Sequence, residues 1–229
     1  MLSKIKSSGF FAIYIIWFII SFAIVFAKDG PSLDNITRVL ILVYFGLTLF
    51  LSGSIASLRK KLKLGPKLAF ILISVVSAAF VETFYMISKP LHTSLLITSA
   101  DTFGGAVSKW LADIVLTAPF YIVIFFVAWL LINRYEYTPK QYLIVISIAQ
   151  AIGDGSGFFL LNPGAAIFLP YVMINYHAMS FVPFRMVRSE IQPRSRSKIR
   201  FLIPLIIIPV VYVLGGIAIF TVGAFLGLL

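Results

Sequence analysis

The 229 residues are 60% hydrophobic and 12% charged, with a mean hydropathy of +1.03 and a formal net charge of +11; soluble domains run about 45–50% apolar and about 25% charged. That composition excludes a water-soluble globule of this size and makes lipid the expected solvent for most of the surface. Zero cysteines exclude disulfides, thiolate metal sites and a Cys nucleophile.

Apolar runs long enough to cross a hydrocarbon layer of ~30 Å occupy 9–27, 37–57, 68–88, 110–132, 141–160, 165–184 and 201–229. The expected fold is all-α: a polytopic integral membrane helix bundle of about seven transmembrane helices, forming one transmembrane domain over 1–229. Of the 19 basic residues, 15 fall in alternate connections on one side and four on the other. The richer side is expected to be cytoplasmic, which puts the N-terminus inside and the C-terminus outside. A multi-pass protein of the cell membrane is the expected setting.

The first run follows Lys4 and Lys6 and is 19 residues long. A secretory h-region is usually about 7–15 residues, so a retained helix is expected rather than a cleaved signal. The second run ends at the basic connection Arg59 to Lys67. Gly53 and Ser57 within it form a small-x-x-x-small pair, as do Gly223 and Gly227 in the last run; both suit close helix packing.

The third run carries Glu82, fifteen residues beyond Lys67 and therefore ~22 Å from the basic side. The connection 89–109 contains Pro90, His92, Asp101 and Gly104-Gly105, which disfavour a continuous helix. Its Leu95-Leu96-Ile97 is a candidate for a re-entrant dip. Asp113 opens the fourth run four residues after Lys109, a spacing that suits an i, i+4 ion pair at a wet helix end.

In the fifth run, Gly153-Asp154-Gly155-Ser156-Gly157 puts Asp154 at ~21 Å, level with Glu82. Each glycine weakens a helix by roughly 1 kcal/mol relative to Ala, so the segment is expected to bend or unwind. Broken helices at membrane depth carry ion and substrate sites, where a carboxylate and freed carbonyls coordinate the cargo. The sixth run places Asn175, Tyr176 and His177 near its middle, with Pro170 and Pro183 as kink points. The last run carries Pro204, Pro209 and Gly215-Gly216, which suit a kink or tilt.

Charged groups inside a bilayer cost about 2.5–3.5 kcal/mol each on insertion scales and mark functional positions by default. The candidate ion- or substrate-binding residues are therefore Asp154, Glu82, Asp113, Asn175 and His177. With His92 and His177 the only histidines, and with neither a G-x-x-x-x-G-K-[ST] loop nor a G-x-G-x-x-G fingerprint, no cofactor is expected. The leading expectation is a transporter or channel for a small solute or cation, with proton coupling as one form of it.

A second expectation is a membrane subunit of a larger export, import or assembly machine. A third is an intramembrane hydrolase of the aspartyl type, working through Asp113 and Asp154. The Gly-x-Gly-Asp pattern of intramembrane aspartyl peptidases fails here, because Ala151 stands at its first glycine, Ala112 precedes Asp113 where a Tyr belongs, and no Pro-Ala-Leu follows. The basic stretches Arg59–Lys67 and Arg185–Arg200 are expected to meet anionic lipid headgroups, with a cytosolic protein partner as the alternative. Nucleic acid is not the first choice, since no aromatic residue interleaves Arg194-Ser195-Arg196-Ser197-Lys198. Assembly into oligomers stays open.

Overall fold

Local capping chemistry sets most helix boundaries. In the computed structural model, which describes residues 2–155 and 158–228, α1 spans Leu2–Asp29 and stops at Gly30, whose φ of +58° is the left-handed conformation that ends helices. Ser32 then caps α2, Leu33–Phe50, by accepting the Asn35 N–H at 3.3 Å. This start lies four residues before the expected one and sets Arg38 in the second turn of the helix. After a break at Leu51, α3 covers Ser52–Lys61.

Pro66 sits in the first turn of α4, Pro66–Tyr85, where a missing N–H costs nothing. The connection that follows buries Leu95. It forms a 3-10 turn at Thr93–Leu95 and folds over the end of α4, with the Ile97 N–H donating to the Met86 carbonyl at 2.8 Å. Thr102 caps α5, Phe103–Arg134, which is longer than its predicted run.

A capping box between Thr138 and Gln141 opens α6, Pro139–Asp154, which ends at Gly155. A four-residue α7, Phe158–Leu161, follows. The expected crossing at 141–160 is thus divided after Asp154; its Ser156 and Gly157 lie outside the described residues. The chain finishes with α8, Leu169–Val187, and α9, Ile203–Phe225. Pro170 and Pro204 occupy first turns rather than kinks, while Pro119, Pro183 and Pro209 lie within helices.

The described residues are 82% helical and contain no strand, and six helical segments are long and apolar enough to cross a membrane. At sixteen residues α6 falls short of that length. The helices α4, α5, α9, α6 and α8 form a closed ring in which each packs on its two neighbours. Outside it, α1 and α2 cover α8, so α8 is the most enclosed helix and nearly all its side chains are buried. Large apolar side chains such as Val115, Leu130, Leu214 and Ile217 point outward. An apolar exterior around a polar interior is the arrangement lipid demands.

One end of the bundle carries most of the cations. There Arg59 makes a two-pronged ion pair with Glu190 at 2.5 and 2.6 Å, and its Nε donates to the Leu64 carbonyl at 3.1 Å. The guanidinium donating to Glu190 holds the arginine pKa above its ordinary value. Arg196 pairs with Glu136, and Arg188 and Arg200 donate to the carbonyls of Tyr137 and Glu136 at 3.2 and 2.8 Å. The basic stretches are thus partly knotted to each other and to the α5–α6 connection.

The closest approaches at glycine lie on other residues than Gly53 and Gly227. Gly53 and Gly227 have nothing within 4 Å of where a Cβ would stand, whereas a Cβ on Gly153 would meet Tyr212 at 2.8 Å and one on Gly215 would meet Phe120 at 2.1 Å. Close approach is therefore concentrated where α9 meets α6 and α5.

Candidate functional site

The helical ring encloses a cavity of ≈410 Å³. Every helix of the ring contributes to it, and so does α2: Glu82 and Tyr85 from α4, Tyr121 from α5, Asp154 from α6, Asn175 and Tyr176 from α8, Tyr212 from α9 and Arg38 from α2. Lys89, Pro90 and Leu91 also line it, so it reaches the end of the bundle opposite the basic connections.

Of the five residues proposed from sequence, Glu82, Asp154 and Asn175 meet in this cavity. The equal depth inferred for the two acids survives the new helix starts: Glu82 lies sixteen residues into α4 and Asp154 fifteen into α6, ~24 and ~22 Å along the respective axes. The Tyr121 hydroxyl donates to Oε1 of Glu82. That of Tyr176 donates to Oδ2 of Asp154 at 2.6 Å. Oε2 of Glu82 and Oδ1 of Asp154 have no hydrogen-bond partner among the described residues. Asp154 is exposed and Glu82 half-buried, so both acids keep acceptor capacity beyond their tyrosines.

The cavity also holds a cation. Arg38 is 8% exposed and has no carboxylate within ion-pair distance among the described residues. Its Nη1 donates to Oδ1 of Asn175 at 2.5 Å, and its guanidinium lies 5.0 Å from the ring centres of both Tyr85 and Tyr171, within cation-π range. The Asn175 side-chain amide donates in turn to the Tyr85 hydroxyl at 2.8 Å. The buried Nε of Arg38 is left without a partner.

Asp113 and His177 do not line this cavity. His177 is buried with both ring nitrogens occupied, Nε2 by the Tyr14 hydroxyl at 2.5 Å and Nδ1 by the Ser147 hydroxyl at 2.8 Å. It ties α1, α6 and α8 together. Asp113 is wholly buried and accepts the Leu91 N–H through Oδ1 at 3.3 Å, while its Oδ2 has no partner. The i, i+4 pair with Lys109 does not form. Lys109 instead donates to Asp101 at 2.7 Å and to the Leu96 carbonyl at 2.8 Å, because the connection folds back over it.

Sequence reasoning missed Arg38, Tyr85, Tyr121 and Tyr212. Arg38 had a legible signal: Ser32 three residues before Asn35 is a helix start, and it places Arg38 in the second turn. The tyrosines had only the general rule that a buried hydroxyl seeks a partner, with nothing to say which acid each would meet. Comparison with protein-family models, with curated proteins and with solved structures finds no match for this chain.

Proposed function

We propose that the chain crosses a membrane seven times and carries a small polar solute or cation through the cavity between Glu82 and Asp154. Seven crossings count α6 as one, on the argument that ~24 Å of helix from Pro139 to Asp154, extended by the segment after it, reaches across. The split of 15 basic residues against four between the two ends supports the basic end as cytoplasmic and the cavity as open to the outside.

The observation that carries this reading is the convergence of two carboxylates and a guanidinium on one cavity inside a bundle whose exterior is apolar. Placing three ionisable side chains there is costly, and neither acid is consumed in an ion pair among the described residues. Such groups are available to a solute or a coupling ion. The aspartyl-hydrolase reading lacks this support, because the acid sharing Asp154's cavity is Glu82 and not Asp113.

At the basic end, a cleft of ≈900 Å³ has Arg185, Arg188, Arg194 and Arg196 in its walls, a setting suited to anionic lipid headgroups. Two of the cations there are already paired within the chain, Arg59 with Glu190 and Arg196 with Glu136.

The test is uptake into liposomes containing the purified chain and a pH-sensitive dye, challenged with amino acids, alkylamines and alkali cations. The wild type takes up at least one of these, and Asp154→Asn abolishes uptake while its helicity and thermal midpoint persist. Unchanged uptake by Asp154→Asn, or none by the wild type, overturns the proposal.

A further inference from the structure

The charges lining the cavity are held in two groups by different partners. On α4, Glu82 precedes Tyr85 by three residues, about 4.5 Å along the axis; on α8, Asn175 and Tyr176 are consecutive. Tyr85 and Asn175 hold Arg38, while Tyr176 holds Asp154 and Tyr121 holds Glu82. No ion pair joins the guanidinium to either acid among the described residues, so the two groups stand apart in the lining. The lining therefore has a cationic pole at Arg38, whose Nε has no partner, and an anionic pole at Glu82 and Asp154, each with an oxygen free of partners among the described residues.

Lys89 at the rim pairs with Asp34 at 3.0 Å, so the lining sets Glu82 and Asp154 against Arg38, charges of both signs in one cavity. A simple cation would occupy the acids and leave Arg38 facing no anion; a simple anion would leave two carboxylates unmatched. Both defects are costly where water is scarce. Resting on the solute-site reading above, we infer that the cavity takes a small zwitterion. Its ammonium docks at Glu82 and Asp154 beside the lining tyrosine rings, which attract cations, and its carboxylate meets Arg38. The volume of ≈410 Å³ suits a solute of amino-acid size with waters at about 30 Å³ each.

Calorimetric titration of the full chain in nanodiscs tests this with α,ω-aminocarboxylates from glycine to 6-aminohexanoate, and with the n-alkylamine and n-alkanoate of each length. At least one aminocarboxylate is expected to bind about tenfold or more tightly than both of its single-charge counterparts, since charge-assisted contacts form at both ends. Arg38→Gln reduces that affinity to the amine's and leaves the amine unchanged. Arg38→Lys keeps the preference, which separates lost charge from lost fold, and Asp154→Asn reduces both aminocarboxylate and amine. An aminocarboxylate that binds no better than its amine, or no binding by any member of the series, overturns the inference. Liposome uptake of the same compounds tests the transport reading separately. Zwitterion binding without uptake keeps this inference and overturns transport; uptake of a singly charged solute with no preference for zwitterions does the reverse.

Discussion

Two neighbouring glycines on α9 make an internal control for how tightly the cavity wall is built. A Cβ on Gly215 would stand 2.1 and 2.2 Å from two ring carbons of Phe120, whereas nothing lies within 4 Å of one on Gly216. Ordinary contact requires the Phe120 ring to retreat by roughly 1 Å or more. It cannot do so freely, because its centre lies 5.0 Å from the Tyr212 ring and 5.7 Å from the Tyr121 ring. Gly215→Ala is therefore expected to cost about 1–3 kcal/mol as overpacking. Gly216→Ala gains up to about 1 kcal/mol from helix propensity. For a chain of this length each kcal/mol moves the thermal midpoint by about 2–4 °C, so a difference of about 1–4 kcal/mol should separate the two midpoints by roughly 2–16 °C. Thermal unfolding in nanodiscs, followed by intrinsic fluorescence, measures the difference. Equal midpoints would refute the close packing of α9 on α5.

His177, with both nitrogens bound to hydroxyls, acts in packing: His177→Ala should cost about 2–4 kcal/mol, since Tyr14 and Ser147 lose their partner. Calorimetry should find its aminocarboxylate affinity unchanged, and loss of binding in a folded variant would bring the histidine back into the site. In the connection before α5, Lys109 and the Thr98 N–H donate to Asp101 and hold its carboxyl below the ordinary aspartate range. The sign follows from linkage. A depressed pKa in the folded state adds stability present above the unfolded value of about 3.9 and lost as pH falls through the folded one. Amide exchange at Thr98 should therefore stay slow at about pH 4 in the wild type and be fast in Asp101→Asn at every pH.

The division into apolar crossings and basic connections was legible because lipid imposes one strong constraint on every segment. The common height of Glu82 and Asp154 followed from helical rise alone. What could not be read was rotation about each helix axis, which decides who faces whom. Asp113 and His177 are as polar as Glu82 and Asn175, yet their helices turn them to a folded-back connection and to the α1–α6–α8 junction. Small-residue spacing did not point to the tightest contact for the same reason: Gly153, beside the acid, receives Tyr212. Arg38 was missed because it stood one residue inside the expected start of its helix; the start at Leu33 puts it in the second turn, lining the cavity.

The most direct test of the central claim is chemical access to the cavity. The chain has no cysteine, so each substituted variant carries a single thiol. Thr117→Cys and Gly216→Cys line the cavity, Ala128→Cys lies in the sealed core and Ile217→Cys faces outward. With a membrane-impermeant thiosulfonate added on the side away from the basic connections, the account predicts modification at 117 and 216 and none at 128 or 217. Thiols at 117 and 216 that resist the reagent from that side would contradict it.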